Sequence, residues 1–209
     1  MLEPIHLFVT GGAEVGKSHI VKCIYNVAHK LLRSSGSPDD TTLLLLAPTG
    51  TAAHNICGHT VHSTPKIPVN PRYVYQSLAS DTLRCLLENV QIIIVDEFSM
   101  ISPLLLEYMN GRLRQIKGVR QTDETKCFEG VCVFGFGDFY QLSPVKAASL
   151  VLEKHTHGDN LFRNNFQQFE LTHIMRQREN AAFAQVLNRL RVKTNSDALD
   201  STSLPLLKS

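Results

Sequence analysis

The sequence predicts an α/β fold: a mainly parallel sheet with helices on both faces, three layers in all. Three observations carry this. Apolar strand-like runs alternate with segments of helical periodicity. One run, "TLLLLAP" (42–48), is apolar without a break, the pattern of a strand buried on both faces. The conspicuous polar residues come directly after the strands, where ligands gather in such sheets.

Taken in order, "PIHLFVT" (4–10) reads as a short buried strand that ends at a glycine-rich loop. "KSHIVKCIYNVAHKLLR" (17–33) has helical spacing, and "SSGSPDD" ends it with turn chemistry. After the strand at 42–48 come a helix over 78–89, a strand "VQIIIVDE" (90–97) closing on two acids, and a helix over 102–116. "GVCVFGFGD" (130–138) is a fourth strand, "FELTHIMR" (169–176) a fifth, and 180–192 a last helix. The stretches 64–77, 117–128 and 146–160 read as loops and 194–209 as a loose tail.

Composition sets the limits. At 209 residues and 43% apolar, the chain is long enough for one domain with a real core and too short for two large ones. A net charge of +2 confines any basic surface to a local patch. Five scattered cysteines, an odd number, argue for reduced thiols and an intracellular protein. No apolar run approaches the roughly 18 to 20 residues of a membrane span, and the N-terminus has no cleavable signal pattern.

"GGAEVGKS" (11–18) fits the spacing G-x-x-x-x-G-K-[ST]. With a strand before and a helix after, Gly11, Gly12, Ala13, Glu14, Val15 and Gly16 form a loop whose backbone N–H groups converge on a triphosphate. Lys17 would then neutralise the β- and γ-phosphates of that triphosphate, and the Ser18 hydroxyl would ligate Mg²⁺. "IIIVDEFSM" adds Asp96 for the metal and Glu97 to polarise an attacking water. Gln141, in "GDFYQLSPV", is an amide beyond a strand end, able to bond both a γ-phosphate oxygen and that water. Arg176, in "ELTHIMRQ", is placed to meet charge developing on the transferred phosphoryl group. By contrast, "HNICGHTVHS" collects His54, Cys57, His59 and His62, but their spacings do not follow the separated pairs of a structural zinc module.

Together these motifs resemble the Pif (petite integration frequency) helicases, superfamily-one DNA motors related to RecD. The resemblance rests on "GGAEVGKS", "APTGTAAHNICGHTVHS", "IIIVDEFSM", "GDFYQLSPV" and "LTHIMRQ", in the family's order, across residues 4 to 193. It implies a RecA-like phosphate-loop lobe and ATP hydrolysis coupled to 5′-to-3′ movement on single-stranded DNA, in DNA repair, recombination or telomere maintenance. It further implies that Lys17 and Ser18 hold phosphate and Mg²⁺, that Asp96 and Glu97 are the magnesium and base acids, that Gln141 senses the γ-phosphate, and that Arg176 is an arginine finger. Pro48, Thr49, Gly50, Thr60 and His62 would line the DNA track. The family's usual home is the nucleus, with the mitochondrion a second one.

The sequence departs from the family at Glu14, usually glycine, and at Ser143, usually proline. Residues 1–193 are expected to form one motor lobe, with the family's second lobe and its motifs absent; a longer gene product or a separate lobe would have to supply them. Two other readings are a non-catalytic helicase remnant, truncated or transposon-derived, and a small-molecule phosphotransferase. The second lacks the arginines of a lid, since 117–128 offers only Arg120. A side chain forced into a left-handed backbone at position 14 costs about 1–2 kcal/mol. A carboxylate some 7 Å from a phosphate adds about 2 kcal/mol at an effective dielectric near 20. The loop is therefore expected to bind nucleotide more weakly than one with glycine there, by up to about a hundredfold. Turnover by a lone lobe is expected to fall far below a typical rate of about 10 per second.

Overall fold

A computed structural model of the chain describes residues 3–12, 15–33, 40–64, 84–85, 87–117, 126–151 and 160–172. Six strands form one sheet: β1 (His6–Gly11), β2 (Leu43–Ala47), β3 (His59–Thr60), β4 (Ile92–Val95), β5 (Cys132–Gly137) and β6 (Gln167–Leu171). Their order is β3-β2-β4-β5-β1-β6, and every neighbouring pair is parallel. All carboxyl ends therefore lie along one edge of the sheet.

Successive strand residues point to opposite faces, and both faces are apolar. On one side Phe8, Leu44, Leu46, Ile93, Val95 and Val133 join a large core with helix α3 (Pro103–Ile116), which contributes Leu106, Met109, Leu113 and Ile116. On the other, Val9, Ala47, Ile94 and Phe136 meet Val21 of α1 (Lys17–Arg33) and Ala52 and Ala53 of α2 (Gly50–Asn55). Helices, sheet, helices: the three expected layers are present.

Helix boundaries follow local chemistry. Ser102 caps α3, its hydroxyl accepting from Leu105 N at 3.1 Å, and Pro103 takes the first helical position, where no N–H is needed. Thr49 caps α2 in the same way. That helix ends with Cys57 at φ 55°, Cys57 N bonded to His54 O and Gly58 N to Ala53 O, the paired bonds of a Schellman turn. Asn160 caps α4 (Leu161–Asn165), accepting from both Phe162 N and Arg163 N at 3.1 Å.

The strands expected at 4–10, 42–48, 90–97 and 130–138 each appear within a few residues of those bounds, and the helices over 17–33 and 102–116 nearly to the residue. The fifth expected strand begins at Gln167, not at 169, and its described part ends at Leu171. Helices α2 and α4 and the two-residue β3 were not expected; each is too short to show a period. Of the helix expected over 78–89, the described residues 84, 85 and 87 are helical. The helix expected over 180–192 and the tail lie outside the described residues. Among those residues, no helix is long and apolar enough to cross a membrane, and the five cysteines form no disulfide.

One contact positions the site. After β4 the chain makes a short 3₁₀ turn, Phe98–Met100, laid against the end of β5. A Cβ at Gly137 would sit 2.8 Å from Ser99 N and 3.1 Å from Phe98 N, so the approach is backbone to backbone. Gly137→Ala is expected to cost about 1–3 kcal/mol of stability in denaturant unfolding, the usual scale of overpacking. A variant as stable as the native chain would show that the approach is loose.

Candidate nucleotide and DNA sites

The loop after β1 turns into α1 through Gly16, at φ 92°, a backbone that favours glycine. Both His19 N and Ile20 N bond Gly16 O, starting the helix. Lys17 Nζ donates to Gly11 O at 2.7 Å and Gly12 O at 2.8 Å, so the ammonium is held across the mouth of the loop. Ser18 is exposed at the helix N-terminus, where backbone N–H groups and the helix dipole favour an anion. Val15 is buried; Ala13 and Glu14 lie outside the described residues, as does Arg176.

At the end of β4, Asp96 is 8% exposed, and its N–H donates to Leu46 O. Its Oδ1 accepts from Glu97 N at 3.0 Å. Glu97 itself adopts φ 52°, ψ 40°, the left-handed region, which costs a non-glycine residue on the order of 1–3 kcal/mol and concentrates at functional sites. Burial pushes the Asp96 carboxyl above its ordinary range, against the Glu97 N–H and the Lys17 charge, which pull it down. Burial also raises Glu97, helped by the Asp96 and Asp138 charges and opposed by Lys17. Lys17 opens α1 after the loop that follows β1, and the two acids follow β4, so lysine and acids stand on the same carboxyl edge of the sheet.

Gln141 follows β5. Its Nε2 donates to Asp138 Oδ2 at 2.8 Å, and Tyr140 N donates to Asp138 Oδ1 at 3.1 Å. Asp138, 1% exposed, lies in the stretch the sequence singles out, but nothing in that stretch assigned it a role. Its signal was positional: an acid as the first residue beyond a buried strand.

The residues expected to touch DNA collect elsewhere on the same edge. Ala47 pairs with Thr60, and Val61 N bonds Ala47 O, which sets Pro48, Thr49 and Gly50 beside Thr60 and His62. Thr49 Oγ1 accepts from Ala52 N and Thr60 Oγ1 from Ser63 N, so each hydroxyl keeps its proton to donate. β2 lies three strand spacings, roughly 14 Å, from β1 but directly beside β4, so these residues flank the two acids on the side away from the glycine loop.

The family model for PIF1-like helicases matches residues 2–199. The chain belongs to that family. The ATP-dependent DNA helicase PIF7 of Trypanosoma brucei brucei is 31% identical over 212 residues, covering 97% of this chain and 19% of that protein. Bacteroides Pif1 bound to ssDNA aligns with a TM-score of 0.73 at 29% identity, over 97% of this chain and 45% of its own. Bacteroides Pif1 in complex with ADP-AlF3 and ssDNA aligns at 0.65 and 30%, over 90% and 42%. The chain thus spans about a fifth of that PIF1-like relative and under half of the two solved chains.

The raised acids have a consequence for stability. A carboxyl whose folded value lies above its unfolded one binds its proton more tightly in the folded state, so stability falls as pH rises from the ordinary carboxylate range through the raised value. Asp96→Asn keeps an acceptor for Glu97 N and removes the charge. It is expected to raise unfolding stability at pH 7, with the gain shrinking toward pH 4. A variant less stable than the native chain at pH 7 would contradict this.

Proposed function

We propose that this chain is the nucleotide-binding lobe of an ATP-driven DNA helicase, one that couples ATP hydrolysis to movement on single-stranded DNA. The observation that carries the reading is geometric: the loop that bears Lys17 follows β1, and Asp96 and Glu97 follow β4, all at the carboxyl edge of one parallel sheet. The relative's name and the two solved Pif1 complexes, one with ssDNA and one with ADP-AlF3 and ssDNA, support it.

The described residues each have a task that their surroundings fit, and Arg176 takes its task from the family resemblance alone. Lys17, already across the loop, exchanges its two carbonyl partners for phosphate oxygens. Ser18 and Asp96 are the oxygen donors that would hold Mg²⁺, a hard cation; when bound, it neutralises charge on the phosphates. Glu97, next in the chain to Asp96, carries the carboxylate that would accept a proton from the attacking water. Gln141 contacts the γ-phosphate, and Arg176 adds positive charge there. Tyr140, Leu142 and Val145, near Gln141 in the chain and 60%, 65% and 79% exposed, are large apolar side chains that a second lobe would cover on closing the cleft. Thr49 and Thr60 direct hydroxyl protons at the DNA backbone, with Pro48, Gly50 and His62 beside them. Direction of travel, 5′ to 3′, and a nuclear or mitochondrial setting follow the family.

Single-turnover hydrolysis by the full chain, with and without an oligo-dT strand, tests the reading. Turnover is expected to be slow but measurable and to rise with DNA, and Glu97→Gln to slow it by about 10² or more while Mg²⁺-ATP still binds. Equal rates for Glu97→Gln and the native chain would refute the assignment.

A further inference from the structure

We propose that Asp138 is a positioning residue that fixes which way the Gln141 amide faces. The inference rests on the reading of Gln141 as the γ-phosphate contact and adds what holds it there.

The amide of glutamine has two unlike ends: an oxygen that accepts and a nitrogen with two protons to donate. A water attacking phosphorus needs an acceptor to orient it, and a γ-phosphate oxygen needs a donor. An exposed glutamine by itself interconverts between its two senses, and only one presents the required pair.

Asp138 removes that choice. It is 1% exposed, at the end of β5. Its carboxylate accepts from Gln141 Nε2 at 2.8 Å and from Tyr140 N at 3.1 Å, while its backbone oxygen accepts from Gln141 N at 3.0 Å. A carboxylate oxygen has nothing to donate, so the NH₂ end must face it; the opposite sense would set Gln141 Oε1 against Asp138 Oδ2. With one N–H spent on Asp138, the amide presents one N–H and Oε1 outward, a donor for the phosphate and an acceptor for the water. The bond is charge-assisted and its acceptor is sheltered from water, which makes it a firm latch. The turn clamps the same two residues through the backbone, so the side chain starts from a fixed base.

Asp138→Asn tests this directly. The asparagine oxygen keeps Tyr140 N, which turns its NH₂ toward Gln141 and favours the reversed sense of the Gln141 amide. Two readouts on the full chain decide. In ¹⁵N–¹H spectra, with the signal assigned by its loss in Gln141→Ala, the native Gln141 NH₂ is expected to exchange at least about tenfold more slowly than exposed glutamine amides, the scale of one hydrogen bond. Asp138→Asn should abolish that protection. In single-turnover hydrolysis, Asp138→Asn is expected to slow the step by about tenfold with Mg²⁺-ATP affinity within about threefold. The double variant Asp138→Asn, Gln141→Ala should be no slower than Gln141→Ala alone. If Gln141→Ala slows turnover but Asp138→Asn does not, or if the two effects multiply, Asp138 does not act through Gln141, and the reading of Gln141 stands without it. If Gln141→Ala leaves turnover unchanged, the reading of Gln141 itself fails and this inference with it. Should Asp138→Asn not fold, the native spectrum decides: an unprotected Gln141 NH₂ overturns the proposal.

Discussion

The site depends on one anchored ring. Phe98, fully buried directly after the two acids, packs with Phe8 at 5.7 Å, Phe162 at 5.9 Å and Phe166 at 5.4 Å between ring centroids. Burying such a side chain contributes about 1.5–3 kcal/mol, and each favourable ring pair about 0.5–1.5 kcal/mol more. That is of the same order as the left-handed backbone at Glu97, about 1–3 kcal/mol. The aromatic cluster can therefore hold the acid turn in a conformation the chain would otherwise leave. Since Phe8 belongs to β1 and Phe162 to α4, the strand that starts the glycine loop and the turn that carries the acids share one core.

The same edge of the sheet shows two kinds of order. At the nucleotide end, charged and polar side chains are held in place: buried acids that ionise at a cost, a lysine on backbone carbonyls, and an amide on a buried carboxylate. At the β2–β3 end, the hydroxyls of Thr49 and Thr60 are relaxed into capping and turn bonds. Such fixed groups suit chemistry, where preorganised charge must meet a transient state. Relaxed hydroxyls suit a partner that arrives and leaves, since donating to a phosphate requires no bond to be broken first. Strand β4 links the ends, because Leu46 of β2 accepts from Asp96 N.

Much of this was legible in the sequence, for reasons that particular residues make plain. The unbroken apolar run of Leu43 to Ala47 reads as a strand buried on both faces, and Ser102-Pro103 announces a helix start. The loop motif and the two acids were readable because their chemistry demands fixed residue types at fixed spacing. What escaped was short or relational. Helices α2 and α4 are five or six residues long, and only their caps, Thr49 and Asn160, could have announced them. The left-handed Glu97 was invisible because no glycine marks it and nothing in its own residue type announces it. Asp138 was in view but mute, since its meaning lies in a bond to a side chain three residues on.

The central claim is that loop, lysine and acids form a single Mg²⁺-nucleotide site. Calorimetric titration of the full chain with a non-hydrolysable ATP analogue tests it most directly. Binding is expected only with Mg²⁺ present at full strength, weakened at least about tenfold by Lys17→Ala and weakened when Mg²⁺ is chelated. Binding that is indifferent to both Lys17 and Mg²⁺, or no binding by the folded native chain, would contradict the account.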